Sequence, residues 1–288
     1  IVLRPNQFCN LSEVVVRATD TEEDLKRKVR IAAILGTVQA TFTHFPYLRK
    51  VWHTNTSQEA LLGLSLTGIM DNELTANPDG QLLNLLRDIS VAVNADYAER
   101  FGIEQSASIT CVKPSGTVSQ LVDAASGIHT RHSEYYIRTI RGDKKDPLTN
   151  LMIDQGIPSE DCVMKPDTTT VFSFPVQSPK KAITRDDRTA LEQLETWKTY
   201  ALEWCEHKPS VTISVRDHEW MEVGAWVYKH FDIISGISFL PHSNHTYQQA
   251  PYQDCTKDEY LALKAVMPEA VDWSQLSQYE SEDNTSGS

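Results

Sequence analysis

An α/β fold is what this sequence predicts, and three observations predict it. Short apolar runs rich in β-branched residues alternate along the chain with longer stretches whose apolar residues recur at intervals of three and four. Turn and cap residues punctuate the joins, as in Asn77-Pro78-Asp79-Gly80. The connections are long enough to carry a helix from one strand to a parallel neighbour through a right-handed crossover.

Asn10 to Arg17, with Val14-Val15-Val16 near its end, reads as the first strand. Asp20-Thr21 followed by Glu23-Asp24 is a helix start, because side-chain oxygens there can take up the unpaired N–H groups of a first turn. Leu25, Val29, Ala32, Leu35, Val38 and Phe42 then mark one helix face. Leu61 to Met70 is a second apolar segment. Asn77 to Gly80 breaks it and launches a helix with Leu82, Leu86, Ile89, Val93 and Tyr97 on one side. Ser106 to Val112 is a third strand, ending in the loop Lys113-Pro114-Ser115-Gly116-Thr117. A polar, irregular middle follows. Thr168 to Phe174 reads as a fourth strand, and Ala190, Leu194, Trp197, Ala201 and Trp204 as the face of the next helix. Ser210 to Val215 alternates as a fifth strand; Trp220, Val223, Val227 and Phe231 mark a further helix; Gly236 to Leu240 is the sixth strand. Parallel pairing is expected, and the segment from Glu280 to Ser288 reads as a flexible exit.

With 288 residues, 40% of them hydrophobic, the chain can bury one large core or two medium ones. A net charge of -12 disfavours a nucleic-acid surface, since phosphate backbones call for a basic face. Arg138, Arg141, Lys144 and Lys145 read as a solvated loop. The apolar run from Leu61 to Met70 is interrupted by Ser65 and Thr67 and falls far short of the roughly 18–20 residues of a spanning helix. Five cysteines, Cys9, Cys111, Cys162, Cys205 and Cys255, are odd in number and widely spread, with no C-x-x-C pair. This fits a reducing, cytoplasmic setting and argues against a disulfide scaffold or a zinc knuckle. The ordinary role of each is that of a small buried apolar group. The first residue is Ile1 rather than methionine, so the sequence reads as the continuation of a longer catalytic chain.

"CVKPSGTVSQL" carries the most chemical information. A strand ends, Pro114 and Gly116 make a tight turn, and Ser115, Thr117 and Ser119 flank the start of a short helix. Such a turn presents unpaired N–H groups to an anion. Hydroxyl-capped helix starts are also common without any ligand, and both readings stand at this point. The G-x-x-x-x-G-K-[ST] spacing of a P-loop is absent. His129 and His132, and likewise His242 and His245, are three apart, but no further ligand sits at a matching interval, so no metal site is expected. A G-x-S-x-G elbow and a D-x-H-x-x-G cobalt-ligating motif are both missing.

Taken in order, "RPNQFCNLSEV", "CVKPSGTVSQL", "SGIHTRHSEYYIR", "VTISVRDHEWMEVGAWVY" and "GISFLP" followed by "NHTYQQAPY" resemble the C-terminal half of the adenosylcobalamin-dependent (class II) ribonucleotide reductases. The monomeric ribonucleoside-triphosphate reductases are the nearest in kind. The resemblance implies a ten-stranded α/β barrel of two half-barrels with a finger loop through its centre. Residues 1–279 would be the second half-barrel, beginning inside that loop, just after the family's radical-bearing Asn-Pro-Cys-Gly-Glu.

By the same resemblance, Cys9 is the cysteine that pairs with an upstream cysteine to reduce the ribose C2′, both ending as a disulfide. Cys111 is left to packing. Pro114, Ser115, Gly116, Thr117, Val118 and Ser119 would hold the substrate phosphates. Gly236 to Pro241 matches the last barrel strand, where class I enzymes carry a tyrosine pair; here Phe239 and Leu240 stand in that neighbourhood. His129, Phe239, Leu240, Pro241 and His242 are expected at the barrel top near the cofactor. The cofactor would be adenosylcobalamin with its own base on cobalt and no protein ligand.

Implied partners are the N-terminal half with the radical cysteine and glutamate, a thioredoxin-like or dithiol reductant, a nucleotide substrate and a deoxynucleotide effector. The family's C-terminal cysteine pair would follow Ser288, so this chain alone is expected not to turn over. A class I reductase chain, another thiyl-radical barrel enzyme and a non-catalytic nucleotide-binding module are the competing readings.

Overall fold

Local sequence chemistry sets the element boundaries in the computed structural model, which describes residues 3–242 and 248–280. In chain order these are β1 (Asn10–Val15), α1 (Glu22–Ala40), α2 (Lys50–Glu59), β2 (Leu62–Thr67), α3 (Glu73–Ala76), α4 (Gly80–Phe101), β3 (Thr110–Cys111) and α5 (Val118–Leu121). There follow β4 (Tyr135–Asp143), α6 (Pro147–Asp154), β5 (Ser159–Asp161), β6 (Thr169–Gln177), α7 (Ala190–Thr199), β7 (Val211–Val215) and α8 (Trp220–Lys229). The last are β8 (Ile237–Pro241), β9 (Tyr252–Asp254), α9 (Lys257–Val266) and α10 (Leu276–Tyr279).

Helix α1 begins where its cap was expected: Thr21 Oγ1 accepts from Asp24 N–H, and the Asp24 carboxylate accepts from Thr21 N–H, two otherwise orphaned donors satisfied together. Asp79 caps α4 by accepting from Gln81 N–H at 2.9 Å. The helix expected to run through Trp204 instead widens after Thr199 into a π-type turn over Tyr200–Trp204. Two buried polar groups hold that turn, with Tyr200 Oη donating to Thr75 O and Trp204 Nε1 to Cys111 O, each at 2.8 Å.

The described residues divide by packing into two units: those within Ile1–Arg131 and Pro179–His242, and those within His132–Ser178 and Ser243–Ser288. In the first, β1, β2 and β3 form a parallel sheet in the order β1-β2-β3, with Asn10 opposite Leu62 and Leu64 opposite Thr110. A second parallel pair, β7-β8, sets Val211 opposite Ile237. One parallel bridge, Val112 to Pro209, joins the two groups, with Ser210 N–H donating to Val112 O at 3.0 Å.

Alternation along the strands sorts an aliphatic face from a polar one, although β2 is buried on both. Leu62, Leu64 and Leu66 point to the helical side and are fully buried, with Val14, Leu25, Val29, Leu83, Leu86 and Ile213 in the same core. Each such side chain contributes roughly 1.5–3 kcal/mol by leaving water. Gly36 lets α1 close on this sheet, because a Cβ there would stand 2.8 Å from Leu62 Cδ2.

The second unit differs from the parallel expectation. Its sheet has the order β5-β6-β4-β9, and β4 and β6 pair antiparallel from Tyr135 opposite Gln177 to Asp143 opposite Thr169. The segment expected as a parallel fourth strand is therefore antiparallel, and the stretch that read as a polar, irregular middle holds the nine-residue strand β4. The physical reason lies in composition. Arg138 and Arg141 lie three apart on β4 and so on opposite faces, and Arg138 lays its guanidinium 4.3 Å from the centre of the Tyr252 ring, so a strand without clean polar–apolar alternation looks like a charged loop. The connection back contains the short α6 and the edge strand β5 instead of a full crossover helix. Among the described residues no helix is long and apolar enough to cross a membrane. The exit expected from Glu280 to Ser288 lies outside the described residues apart from Glu280.

Candidate functional site

Residues of the opposite parity in the first unit's strands share the face turned away from the helices. Glu13 lies opposite Ser65 on β2, and Ser65 lies opposite Cys111 on β3. Cys9 immediately precedes β1, and the turn from Lys113 to Thr117 follows β3. Cys9, Glu13, Ser65, Cys111, Lys113 and Ser115 thus form one polar and thiol group on a sheet whose other face is aliphatic.

The approach to Cys9 is fastened at several points. Phe8 stacks on Trp52 with ring centres 4.7 Å apart and packs against Phe45 at 5.0 Å. Arg4 pairs with Glu59 at 2.8 Å, Gln7 Nε2 donates to Glu59 Oε2 at 2.7 Å, and Asn10 N–H donates to Leu61 O at 2.8 Å. Helix α2 supplies Trp52 and Glu59, and its sequence periodicity was too weak to foretell it.

Burial pushes the Cys9 thiol up to about 11, against the pull of the nearby Lys113 ammonium. Cys111 is raised to about 12 by burial and then by the neighbouring Cys9 and Glu13. Cys205 is raised well above the ordinary range, again by burial and then by Cys111. These thiols therefore stay protonated at neutral pH and can serve as hydrogen donors. Alkylation of Cys9 followed by peptide mass spectrometry is expected to quicken about tenfold per pH unit from pH 7 to near 11, because the thiolate is the reacting form. A rate that levels off near pH 8.5 would contradict the desolvated environment. In the second unit, burial raises Cys162, but hydrogen bonds from the Lys165 and Met164 backbone and from Arg141 outweigh it and bring its thiol below the ordinary value.

The turn after β3 is tied on several sides. Lys113 N–H donates to Ser65 Oγ at 2.9 Å, the Ser115 hydroxyl donates to Glu13 Oε2 at 2.6 Å, and Ser119 Oγ lies 2.7 Å from Ser126 Oγ. Pro114, Gly116, Thr117 and Val118 are exposed, while Ser119 is fully buried. Helix α5 is only four residues long and the Thr117 side chain makes no cap bond, so helix dipole adds little here and the turn itself carries any affinity for an anion.

Gly127 covers the turn from the other side with φ +55°. A Cβ at this position would stand 2.3 Å from Lys113 O. Gly127→Ala is expected to push the Lys113 to Thr117 turn away and lower stability by about 1–3 kcal/mol, from left-handed strain plus the clash. Denaturant unfolding together with hydrogen exchange across residues 113–119 checks this; an unchanged midpoint with unchanged exchange would refute it.

His129 has both ring nitrogens engaged: Nδ1 donates to Ser126 O at 2.8 Å and Nε2 accepts from Thr212 N–H at 3.0 Å. Burial lowers its pKa, so it is a neutral strut between loop and strand. On β8, Phe239 is half-buried against the core while Leu240 and Pro241 are exposed. His242 Nε2 lies 3.3 Å from Asp186 Oδ1. His245 lies outside the described residues. His129 thus has no uncommitted ring nitrogen, and among the described residues no group of three metal-ligating side chains converges.

Glu13 and Ser65 escaped the sequence-based reading. The signal was present, since Cys9, Leu11 and Glu13 share parity along one strand, but only the register sets Ser65 and Cys111 beside them.

No family model matches the chain. Among curated proteins, it is 30% identical over 268 residues to the adenosylcobalamin-dependent ribonucleoside-triphosphate reductase of Euglena gracilis, covering 90% of this chain and 36% of that protein. It is 27% identical over 296 residues to the enzyme of the same description from Lactobacillus delbrueckii subsp. bulgaricus, covering 90% of this chain and 39% of the relative. A probable reductase of this kind from Dictyostelium discoideum is 28% identical over 290 residues, with 95% of this chain and 36% of the relative covered. The chain thus spans between a third and two-fifths of the length of these relatives. The fold matches a crystal structure of a B-12 dependent (class II) ribonucleotide reductase with a TM-score of 0.81 at 24% identity, over 98% of this chain and 43% of that one.

Proposed function

The chain is homologous to adenosylcobalamin-dependent (class II) ribonucleoside-triphosphate reductases, and on that premise we propose that it forms the second half of a thiyl-radical barrel that reduces ribonucleoside triphosphates. The five parallel strands β1, β2, β3, β7 and β8, linked by the Val112 to Pro209 bridge, would make up one half-barrel. Their helix-free face would turn toward the substrate.

The observation that carries this reading is the grouping of a protonated, well-anchored Cys9 with Lys113 and the tied turn after β3. Cys9 and a thiol from the upstream half are together oxidised to a disulfide, giving up two electrons and two protons. The ribose 2′-hydroxyl leaves as water and a hydrogen takes its place on C2′. A dithiol or thioredoxin-like reductant then restores both thiols by exchange. In this role a thiol must keep its hydrogen until the radical intermediate forms, and desolvation of Cys9 provides that. The turn from Pro114 to Ser119 would receive substrate phosphates, with the Lys113 ammonium close to Cys9 adding positive charge.

Adenosylcobalamin, when bound to the assembled enzyme, supplies carbon–cobalt homolysis as the source of the radical. The residues described here provide His129 as a structural strut rather than a ligand, so the cofactor would be held by other contacts.

The test is to combine this chain with an upstream half from a relative, adenosylcobalamin, a dithiol and a labelled ribonucleoside triphosphate. Deoxynucleotide dependent on both halves is the expected result. None above background would overturn the reading.

A further inference from the structure

Glu13 has no part in the chemistry above, yet its surroundings are unusual. Its carboxylate is half-buried on β1, on the helix-free face, opposite Ser65. Burial raises its pKa while the Ser115 hydrogen bond works against that rise. Among the described residues no salt bridge to Glu13 is seen within contact distance, so the short bond from the Ser115 hydroxyl is its evident compensation. Desolvating an acid for one hydrogen bond is a poor way to gain stability. It makes better sense as a way to hold something in place.

What it holds is a residue in an unfavourable conformation. Ser115 has φ +50°, in the left-handed region that serine seldom occupies. Its hydroxyl reaches back 102 residues in sequence to the strand that follows Cys9. The other nearby ties hold different parts of the turn: Ser65 holds the Lys113 amide, and Ser126 meets Ser119 after the turn is over. The Glu13 to Ser115 bond is the link that joins the apex of the turn to the strand leading from Cys9.

We propose that Glu13 is a positioning residue: by accepting the Ser115 hydroxyl hydrogen it fixes the apex of the 113–117 turn relative to the Cys9 strand. This deepens the reading of the turn as the site of an anionic substrate group and rests on it. A phosphate held at the turn and a ribose carbon facing Cys9 belong to one rigid substrate, so the two protein elements must keep a fixed spacing. With its hydrogen committed to Glu13, the Ser115 hydroxyl does not donate to the anion. The main-chain N–H groups of the exposed Gly116 and Thr117, with Lys113, are left to receive it.

The experiment compares Glu13→Ala, Glu13→Gln, Ser115→Ala and the Glu13→Ala/Ser115→Ala double variant. Hydrogen exchange at residues 113–119 is read in the chain itself, and KM and kcat for a ribonucleoside triphosphate in the assembly with the upstream half. Loss of the bond in Glu13→Ala is expected to speed exchange at the turn about tenfold and raise KM about tenfold, with a smaller change in kcat. Glu13→Gln keeps an acceptor oxygen and should stay within about twofold of the unaltered protein. Ser115→Ala should match Glu13→Ala, and the double variant should be no worse than either single one.

Unchanged exchange in Glu13→Ala, a Glu13→Gln variant as impaired as Glu13→Ala, or additive effects in the double variant would each overturn the proposal. Exchange needs no turnover. An unaltered assembly that forms no deoxynucleotide therefore sinks the catalytic reading alone, and exchange in the variants still decides the role of Glu13.

Discussion

Cys9→Ser is expected to abolish deoxynucleotide formation by the assembled enzyme, with turnover falling on the order of a thousandfold or more, as when one member of a cooperating catalytic pair is removed. A serine hydroxyl has nearly the same shape but cannot form a disulfide, so under the proposed function the two electrons for C2′ would have no source on this strand. The fold should tolerate the change, because Cys9 is only partly buried and its segment is anchored by Phe8, Arg4 and Gln7 rather than by the thiol. Cys111→Ser is the matched control. Cys111 is almost fully buried, and its side chain is expected to affect stability more than turnover. Rates are measured with a dithiol reductant in excess, alongside mass spectrometry of Cys9 after one turnover. Turnover within tenfold of the unaltered protein in Cys9→Ser would remove Cys9 from the reaction.

Arg131→Met is expected to cost about 3–5 kcal/mol, the penalty for breaking a buried ion pair from one side. The Arg131 side chain is 3% exposed and pairs with Asp71 through two bonds, Nε to Oδ1 at 2.8 Å and Nη2 to Oδ2 at 2.9 Å. Its Nη1 reaches Asp123 Oδ1 at 2.9 Å. Asp71 also accepts from Ala125 N–H at 2.8 Å, so the pair holds the loop that carries Gly127 over the turn after β3. Removing the guanidinium leaves a carboxylate of equal burial without its counter-charge. The Asp71→Asn/Arg131→Met double variant should recover part of the loss, because no uncompensated charge then remains. Urea unfolding measures both. A loss below about 1 kcal/mol in the single variant would show that the pair is solvated in solution.

How much of this was legible in the sequence depends on the range of the interaction. Thr21 and Asp24, or Asp79 before Gly80, act within one turn and announce their helices directly. The β1, β2 and β7 strands are readable because alternation or aliphatic runs record burial on one or both faces. Strand β4 hides its pattern: Arg138 and Arg141 break any alternation, and the partners that make them strand residues, Phe174 and Val171, lie thirty or more positions away in β6. Cys9 looked like one thiol in five until the family resemblance singled it out, and its desolvation became visible only in three dimensions. Glu13 is the extreme case. No local rule links it to Ser115, because what joins them is the folding of β1 beside β2 and of β2 beside β3.

The single bridge between Val112 and Pro209 has a consequence of its own. Proline has no N–H to give and the Pro209 carbonyl accepts from Trp197 Nε1 at 3.1 Å, so the backbone bonds to β3 come from its neighbours, His207 N–H to Thr110 O and Ser210 N–H to Val112 O. The backbone ladder here is short beside the six pairs of β1 with β2, and side chains make up the difference: Glu206 Oε2 accepts from Ile109 N–H, Thr110 Oγ1 donates to Trp204 O, and Trp204 Nε1 donates to Cys111 O. The seam beside Cys111 is thus riveted by side chains of the segment before β7 rather than zipped by strand pairing. A change at Trp204 or Glu206 therefore acts directly on the strand that ends at the Lys113 to Thr117 turn.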